Sequence, residues 1–472
     1  MRTKLRFTIY FAIVMAITQI SVFAQTYEPN WASLDKRPVP QWFTDAKFGI
    51  FIHWGIYSVP AWAPASADIG VYAKYAEWYW QRINGGKDPN PQKTDVNQLF
   101  IDYHNKVWGE KFKYQDFAPL WKAEQFDPTE WATVFKNSGA KYVVLTSKHH
   151  EGFTLWPSAQ SWNWNSIDIG PHRDLVGDLS TAVKATGLHM GLYYSLYEWF
   201  NPLYHSNPEK YVNEHMLPQM KDIVTRYKPD ILYPDGEWDH PSSLWRSEEF
   251  LSWLYNESPV KESIVVNDRW GKETRSKHGG YYSSEYGLVG ENKIGDMSTH
   301  PWEEIRGIGT SFGYNRVEDL SNYLSSKELV HMLIKVVSEG GNLCLNIGPT
   351  ADGLIPVIMQ QRLLDIGSWL NVNGEAIYGT KIWTSRPSAA ENQSVFYTTK
   401  GNDLYAICTK WPEKDILVTG LKKGGKVSLL GSKLMVNAEF KAGNLSISAP
   451  DINPGNIPCD FAWVFKIADC NP

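Results

Sequence analysis

The sequence predicts an α/β protein: a (β/α)8-like, TIM-type barrel followed by a C-terminal antiparallel β-sandwich. Two observations carry this. From about Trp42 to Tyr378, eight short apolar runs alternate with segments of helical periodicity. That alternation is the signature of a parallel sheet with crossover helices, and eight strands suffice to close a barrel. After Gly379 the pattern becomes short alternating runs separated by Gly, Asn, Lys and Pro, which read as a sandwich of about ninety residues. The expected division is a leader over residues 1–24, a barrel over 25–380 and a sandwich over 381–472.

The eight barrel strands are expected at Phe48–His53, Tyr142–Lys148, His189–Tyr194, Ile231–Asp235, Ile264–Asp268, Tyr281–Glu285, Thr310–Tyr314 and Leu343–Ile347. Most are apolar and β-branched or aromatic, as strands buried on both faces should be. Helices are expected at Pro128–Ser138, which stops at Gly139, and at Asp174–Ala185, which stops at Gly187. Tyr211–Tyr227, Ser247–Asn256, Ser326–Ser338 and Met359–Asn371 show the same spacing. The longest connection, Ser58 to about Glu124, is expected to wall a cleft. The sandwich strands are expected at Ser394–Thr399, Leu404–Lys410, Ile416–Leu421, Val427–Leu430, Leu445–Ala449 and Phe461–Phe465.

The first residues stand apart. Arg2, Lys4 and Arg6 precede an apolar run from Phe7 to about Ile20, then Val22-Phe23-Ala24. This reads as a cleaved secretory leader ending at about Ala24, and hence a secreted or periplasmic protein. No later run has the length and apolarity to span a bilayer. The formal charge is −5, and losing the leader's three cations makes it −8. Such a surface argues against nucleic acid as a partner. The four cysteines are irregularly spaced. A core of this size needs no staples, and Cys459 with Cys470 is the only plausible pair. No zinc-binding pattern is present, so neither metal nor cofactor is expected. Tryptophan numbers 22. Sugar C–H groups stack on aromatic faces, so this abundance suits a carbohydrate cleft, although a Trp-rich core accounts for it equally.

In a parallel barrel the chemistry gathers at the C-terminal strand ends. Here those ends read His53-Trp54-Gly55, Lys148-His149-His150-Glu151, Tyr193-Tyr194-Ser195, Pro234-Asp235-Gly236-Glu237-Trp238, Asn267-Asp268-Arg269-Trp270 and Ser283-Ser284-Glu285-Tyr286, with Phe312 and Tyr314 on the seventh. Two carboxylates on different strands, ringed by imidazoles and aromatics, suit glycoside hydrolysis. One attacks or stabilises the oxocarbenium-like centre and the other protonates the leaving oxygen. Asp235 and Glu285 fill these places. The bland reading of Asp235 is a loop cap or a partner for Arg269. For Glu285 the rivals are Glu303 and Glu304, expected on the following loop or helix. His149 and His150 raise the question of a metal. Adjacent strand residues point to opposite faces, so both rings cannot easily hold one ion unless the strand has already turned, and hydrogen bonds to sugar hydroxyls fit better. His53 has the same two readings, plus that of a satisfied core histidine.

Several ordered motifs resemble those of the α-L-fucosidases of glycoside hydrolase family 29. They are the run Trp42–Gly55, Ala76-Glu77-Trp78-Tyr79, Lys148–Phe153, "YKPDILYPDGEW" over Tyr227–Trp238, "VVNDRWG" over Val265–Gly271 and "NIGPTADG" over Asn346–Gly353. The similarity spans nearly the whole chain beyond the leader. It implies a barrel plus sandwich and a metal-free retaining mechanism, with Asp235 as nucleophile and Glu285 of "SEYG" as acid/base. It also implies a fucose pocket of His53, Glu77, Trp78, His149, His150, Tyr194, Arg269 and Phe312. Position 233 is Tyr where some members have Trp.

The expected activity is release of terminal α-L-fucose from oligosaccharides or glycoconjugates, so fucosylated glycans are the expected partners, and a homo-oligomer is left open. The alternatives are a barrel hydrolase for a related sugar such as α-L-galactoside, and a non-catalytic fucose-binding protein on a hydrolase scaffold. The sandwich is expected to be structural rather than a carbohydrate-binding module, since it offers no evident Trp platform.

Overall fold

The computed structural model describes residues 26–66, 68–85, 95–287, 300–385 and 394–472. The expected leader lies outside the described residues. Eight parallel strands form one sheet: β1 (Phe48–Ile52), β2 (Tyr142–Lys148), β3 (His189–Ser195), β4 (Ile231–Asp235), β5 (Val265–Val266), β6 (Tyr282–Glu285), β7 (Trp302–Gly307) and β8 (Asn342–Ile347). Their order is β5-β4-β3-β2-β1-β8-β7-β6, so a barrel closes only if β5 meets β6. Two backbone hydrogen bonds join them, from Gly280 N–H to Asn267 O and from Tyr281 N–H to Val266 O, each 3.1 Å. A Cβ on Gly280 would lie 1.9 Å from the Val266 carbonyl oxygen, so this approach requires glycine. Side chains complete the join. Asp268 Oδ1 accepts from Ser283 N–H (3.1 Å) and Ser283 Oγ–H (2.7 Å), and Arg269 Nε–H donates to Ser283 Oγ (2.8 Å).

Strand periodicity divides the core in two. Phe51, Tyr142, Val144, Tyr193, Ile231, Tyr233, Val265, Ile305 and Cys344 pack in one cluster inside the barrel. Their neighbours Ile50, Ile52, Val143, Leu145, Leu192, Leu232 and Leu345 face the helices in the other. The helices begin where side chains cap them. Asp127 caps Pro128–Asn137, Asp174 caps Leu175–Ala185, and Ser325 with Glu328 forms a capping box on Ser326–Ser338.

Three expectations are corrected. The seventh strand is Trp302–Gly307, not Thr310–Tyr314. Glu303 and Glu304 therefore lie on a strand, and Phe312 lies on the loop that follows. The fifth strand is only Val265–Val266, the two residues that its ladder with β4 pairs, against Ile231 and Leu232. The expected helix Tyr211–Tyr227 is interrupted by a π-turn at Val212–Met216.

The C-terminal strands form two sheets. β9 (Lys381–Ile382), β10 (Val395–Lys400), β11 (Asp403–Cys408), β13 (Lys426–Leu429) and β16 (Trp463–Ala468) make the larger, and β12 (Ile416–Val418), β14 (Asn437–Lys441) and β15 (Asn444–Ser448) the smaller. Tyr397, Leu404, Ala406, Phe465 and Ile467 pack between the sheets with Val418, Leu445 and Ile447. Phe396, Tyr405, Ile407 and Val464 belong instead to the barrel's outer core. There Trp369 Nε1–H, on helix Val357–Asn373, donates to Ala462 O at 2.8 Å. One face of the larger sheet is thus occupied by the barrel's helices. All four cysteines are free, so Cys459 and Cys470, the one plausible pair, do not bond. Cys459 Sγ–H donates to Ala462 O and Cys470 Sγ–H to Asn402 O.

Candidate active site

A cavity of about 740 Å³ opens at the C-terminal ends of the strands, within the range of small-molecule sites. His53, Glu77, Trp78, His149, His150, Asp235, Arg269, Glu285 and Phe312 all line it. Tyr194 does not. It has the parity of Leu192, so its ring faces the helices and its hydroxyl donates to Gln219 Oε1 at 2.8 Å. Its neighbour Tyr193 takes the inward place and donates to Asp235 Oδ2 at 2.9 Å.

Asp235 ends β4, and Arg269 follows β5. Arg269 Nη1–H donates to Asp235 Oδ1 at 2.6 Å, while Nη2 pairs with Glu285 Oε1 at 2.5 Å. One planar fork therefore holds both carboxylates on neighbouring tines. Arg275 Nη2 lies 3.7 Å from Asp235 Oδ1, and His150 Nε2 lies 3.9 Å from Asp235 Oδ2. Burial alone would raise the pKa of Asp235. The Arg269 guanidinium, helped by Arg275, overrides it and holds the carboxyl well below its usual range. Asp235 is thus an ionised carboxylate with one hydroxyl and one guanidinium donor fixing its plane.

The imidazoles are set by their outer partners. Asn346 Nδ2–H donates to Phe312 O (2.7 Å), so its Oδ1 accepts from His53 Nδ1–H (2.6 Å). Ser195 Oγ–H donates to Tyr197 O (2.6 Å), so Oγ accepts from His150 Nδ1–H (2.6 Å). In both rings Nε2 is left as the acceptor. Burial, then the neighbouring His149, depresses the pKa of each, to about 3 for His53 and well below the usual value for His150. Neither is a cation at neutral pH. His149 and His150 face the same cavity, because the strand has already turned. β2 ends at Lys148 after a register shift, and both rings lie on the turn beyond it. Lys148 itself is buried, paired with Glu198 at 2.7 Å, and Glu198 also meets His215 at 3.1 Å.

Glu77 sits on the single turn Ala76–Trp78 and accepts from Gly313 N–H at 2.8 Å. Burial pushes its pKa up to about 7. Phe312 lies between His53 and Tyr75, with ring centroids at 4.9 and 5.1 Å. Glu303 and Glu304, the rivals of Glu285, are both off the cavity wall. Glu303 projects into the barrel interior, where Tyr142 donates to it, and Glu304 accepts from Gly287 N–H. Sequence reasoning also missed Tyr72, Tyr75 and Arg275, which line the cavity together with Trp238, named beforehand only within the fourth strand end. Tyr233 lines it too, beneath the Arg269 guanidinium. Strand parity shared with Asp235 was the available signal for Tyr193 and Tyr233. Tyr72 lies on the single 3-10 turn Val71–Lys74 and Tyr75 and Arg275 on loops, too short or irregular for periodicity to mark them.

Glu303 gives a measurable pH effect. Burial raises its pKa to about 7, above the ordinary 4.5, so the folded protein holds this proton more tightly than the unfolded chain. The resulting stabilisation is complete below about pH 4.5 and is lost as pH rises through about 7. Glu77 acts in the same sense. Urea midpoints are expected to fall across that window, and Glu303→Gln to flatten the fall. An unchanged slope in the variant would remove Glu303 as a contributor.

The comparisons with known proteins agree with this geometry. The α-L-fucosidase family model matches residues 14–375, and the α-L-fucosidase C-terminal domain model matches 389–468. The human tissue α-L-fucosidase is 45% identical over 456 residues, covering 93% of this chain and 91% of that protein. The rat tissue enzyme is 43% identical over 457 residues, covering 94% and 93%. A crystal structure of Thermotoga maritima α-fucosidase, in complex with a mechanism-based inhibitor, superposes with a TM-score of 0.76 at 37% identity, covering 93% of this chain and 99% of that one. An α-L-fucosidase from Bacteroides thetaiotaomicron gives 0.73 at 26%, covering 92% and 95%. With an ionised aspartate and a second carboxylate on one guanidinium at the mouth of such a barrel, this chain belongs to the α-L-fucosidase family of glycoside hydrolases.

Proposed function

We propose that the protein releases terminal α-L-fucose from fucosylated glycans by double displacement, with Asp235 as nucleophile and Glu285 as acid/base. The observation that carries this reading is the shared grip of Arg269 on both carboxylates, which keeps them as near neighbours, as a retaining pair must be. Asp235 attacks the anomeric carbon. The glycosidic C–O bond breaks, and its electron pair goes to the leaving oxygen, which takes a proton from Glu285. To do so, Glu285 must carry that proton and leave Arg269 as the leaving group enters. In the second half Glu285 takes a proton from water, the water oxygen attacks the anomeric carbon, and Asp235 departs as carboxylate.

The remaining wall sorts the sugar. His53 Nε2 and His150 Nε2 accept from hydroxyls, as does Glu77 when ionised. Phe312, flanked by Tyr75, meets the C6 methyl of a 6-deoxy sugar. Tyr193 replaces Tyr194 in this set, orienting Asp235. The test is hydrolysis of aryl α-L-fucoside beside aryl α-L-galactoside, with the first-formed anomer followed by NMR. Faster cleavage of the galactoside, or an inverted first product, overturns the reading, as does tight fucose binding with no turnover.

Glu285→Ala is expected to slow cleavage of an aryl fucoside bearing a good leaving group, and added azide to restore it with a fucosyl azide of retained configuration. Rescue at Glu303→Ala, and not at Glu285→Ala, would move the role to Glu303. Among the described residues no helix is long and apolar enough to cross a membrane. Residues 1–24 act as a secretory leader in this proposal. The exported protein should then begin at Gln25 by N-terminal sequencing, and a retained Met1 would refute it.

A further inference from the structure

The cavity is continued on one side by aromatic rings that the fucose site does not use. At its mouth Trp78 and Trp238 lie 6.0 Å apart, centroid to centroid. Trp238 is 39% exposed. Trp78 meets Trp199 at 5.5 Å, and Trp80 stacks on Trp199 at 5.5 Å with only 15° between the planes. Phe200 lies 5.9 Å from Trp80 and stacks on Trp164 at 5.0 Å, again at 15°. Trp80, Phe200 and Trp164 are half-buried, whereas Trp199 beneath them is buried. These three half-buried rings keep part of their surface in water and continue from the cavity mouth through Trp78 and Trp199.

The rings are held in place by the catalytic turn. Trp199 N–H donates to His150 O at 2.7 Å, and Trp164 Nε1–H donates to Glu151 O at 2.9 Å. The platform is therefore registered to the imidazoles of the fucose pocket, and Trp78 belongs to both. It starts at the cavity mouth, where the group cleaved from fucose must emerge.

We propose that this row is a binding platform for the leaving-group glycan, taking at least two pyranose rings of the saccharide to which fucose is attached. Apolar faces of pyranoses match aromatic rings, so a saccharide fits the row, which away from the Arg82 guanidinium over Trp78 is built of rings. The proposal rests on the fucosidase reading and deepens it. It makes Trp80 and Phe200 determinants of which glycan is trimmed.

The test compares kcat/KM for an aryl α-L-fucoside with that for a fucosylated tetrasaccharide, in the full chain and in Trp80→Ala. The ratio of tetrasaccharide to aryl substrate is expected to fall about ten-fold, the worth of one lost aromatic contact. The defucosylated trisaccharide should inhibit aryl fucoside cleavage by the parent protein, and less so by the variant. Phe200→Ala provides the same readout should Trp80→Ala fail to fold. An unchanged ratio, an equal loss on both substrates, or absence of trisaccharide inhibition in the parent protein overturns the platform. Failure of the parent protein to cleave the aryl fucoside overturns the fucosidase reading instead.

Discussion

Asp235→Ala is expected to lower kcat/KM on aryl α-L-fucoside by on the order of 10⁴-fold or more, because it removes the atom that bonds to the sugar. The fold should survive. Arg269 keeps Glu285 and Ser283 as partners, so the substitution strands no unpaired cation in the barrel mouth. The Tyr193 hydroxyl and the Arg269 Nη1–H lose their acceptor. Far-UV circular dichroism and the urea midpoint check this directly. Azide added to the variant enters the space left by the carboxylate and should yield a fucosyl azide of inverted configuration. That outcome separates a nucleophile from an acid/base, whose rescue product retains configuration. Near-normal turnover without azide, or a retained azide product, would take the nucleophile's role from Asp235.

Arg269→Leu is expected to be nearly as damaging, for a different reason. It leaves two carboxylates facing one another at the cavity mouth, one of them fully buried, with the guanidinium gone from between them. Removing one partner of a buried pair costs about 3–5 kcal/mol, and turnover should fall on the order of 10³-fold. The pH profile is the sharper readout. Arg269 is the largest influence holding the Asp235 pKa down against burial. Without it, burial wins and the pKa rises, so the acid limb of kcat/KM should move to higher pH. In the parent protein the depressed pKa stabilises the fold above the ordinary value of 3.8, and that contribution is lost as pH falls through the folded value. The variant should forfeit it. Arg269→Lys keeps a charge but not the fork, and should recover part of the shift without recovering turnover. An acid limb that does not move in Arg269→Leu would deny the guanidinium this role.

The barrel was legible because its strands are apolar on both faces and its helices carry end signals such as Asp127, Asp174 and Ser325. Where sequence reading failed, a polar group had entered the core. Trp302–Gly307 carries Glu303, Glu304 and Arg306 and looks like a loop. Glu303 is tolerated because the barrel interior supplies the Tyr142 hydroxyl as donor, and Arg306 lies over the ring of Tyr286. β14 was missed because Asn437–Lys441 is exposed throughout, so no burial imposes alternation on its sequence. The misplaced tyrosine is a matter of parity. Tyr193 and Tyr194 are chemically identical in sequence, and only the strand's two-residue period, counted from Asp235 through the pairing of Ser195 with Asp235, tells them apart. The turn at His149-His150 defeated the same rule in the other direction, because the strand had already ended.

The join between β5 and β6 gives the molecule an economy that constrains its evolution. Asp268, Arg269, Ser283 and Glu285 fasten the hoop of the barrel, and in the proposed mechanism Arg269 and Glu285 also furnish its chemistry. Selection for activity and selection for closure therefore act on the same few side chains. A lineage drifting towards a new substrate is free to alter the aromatic rim, but not this clasp, without loosening the architecture that carries it.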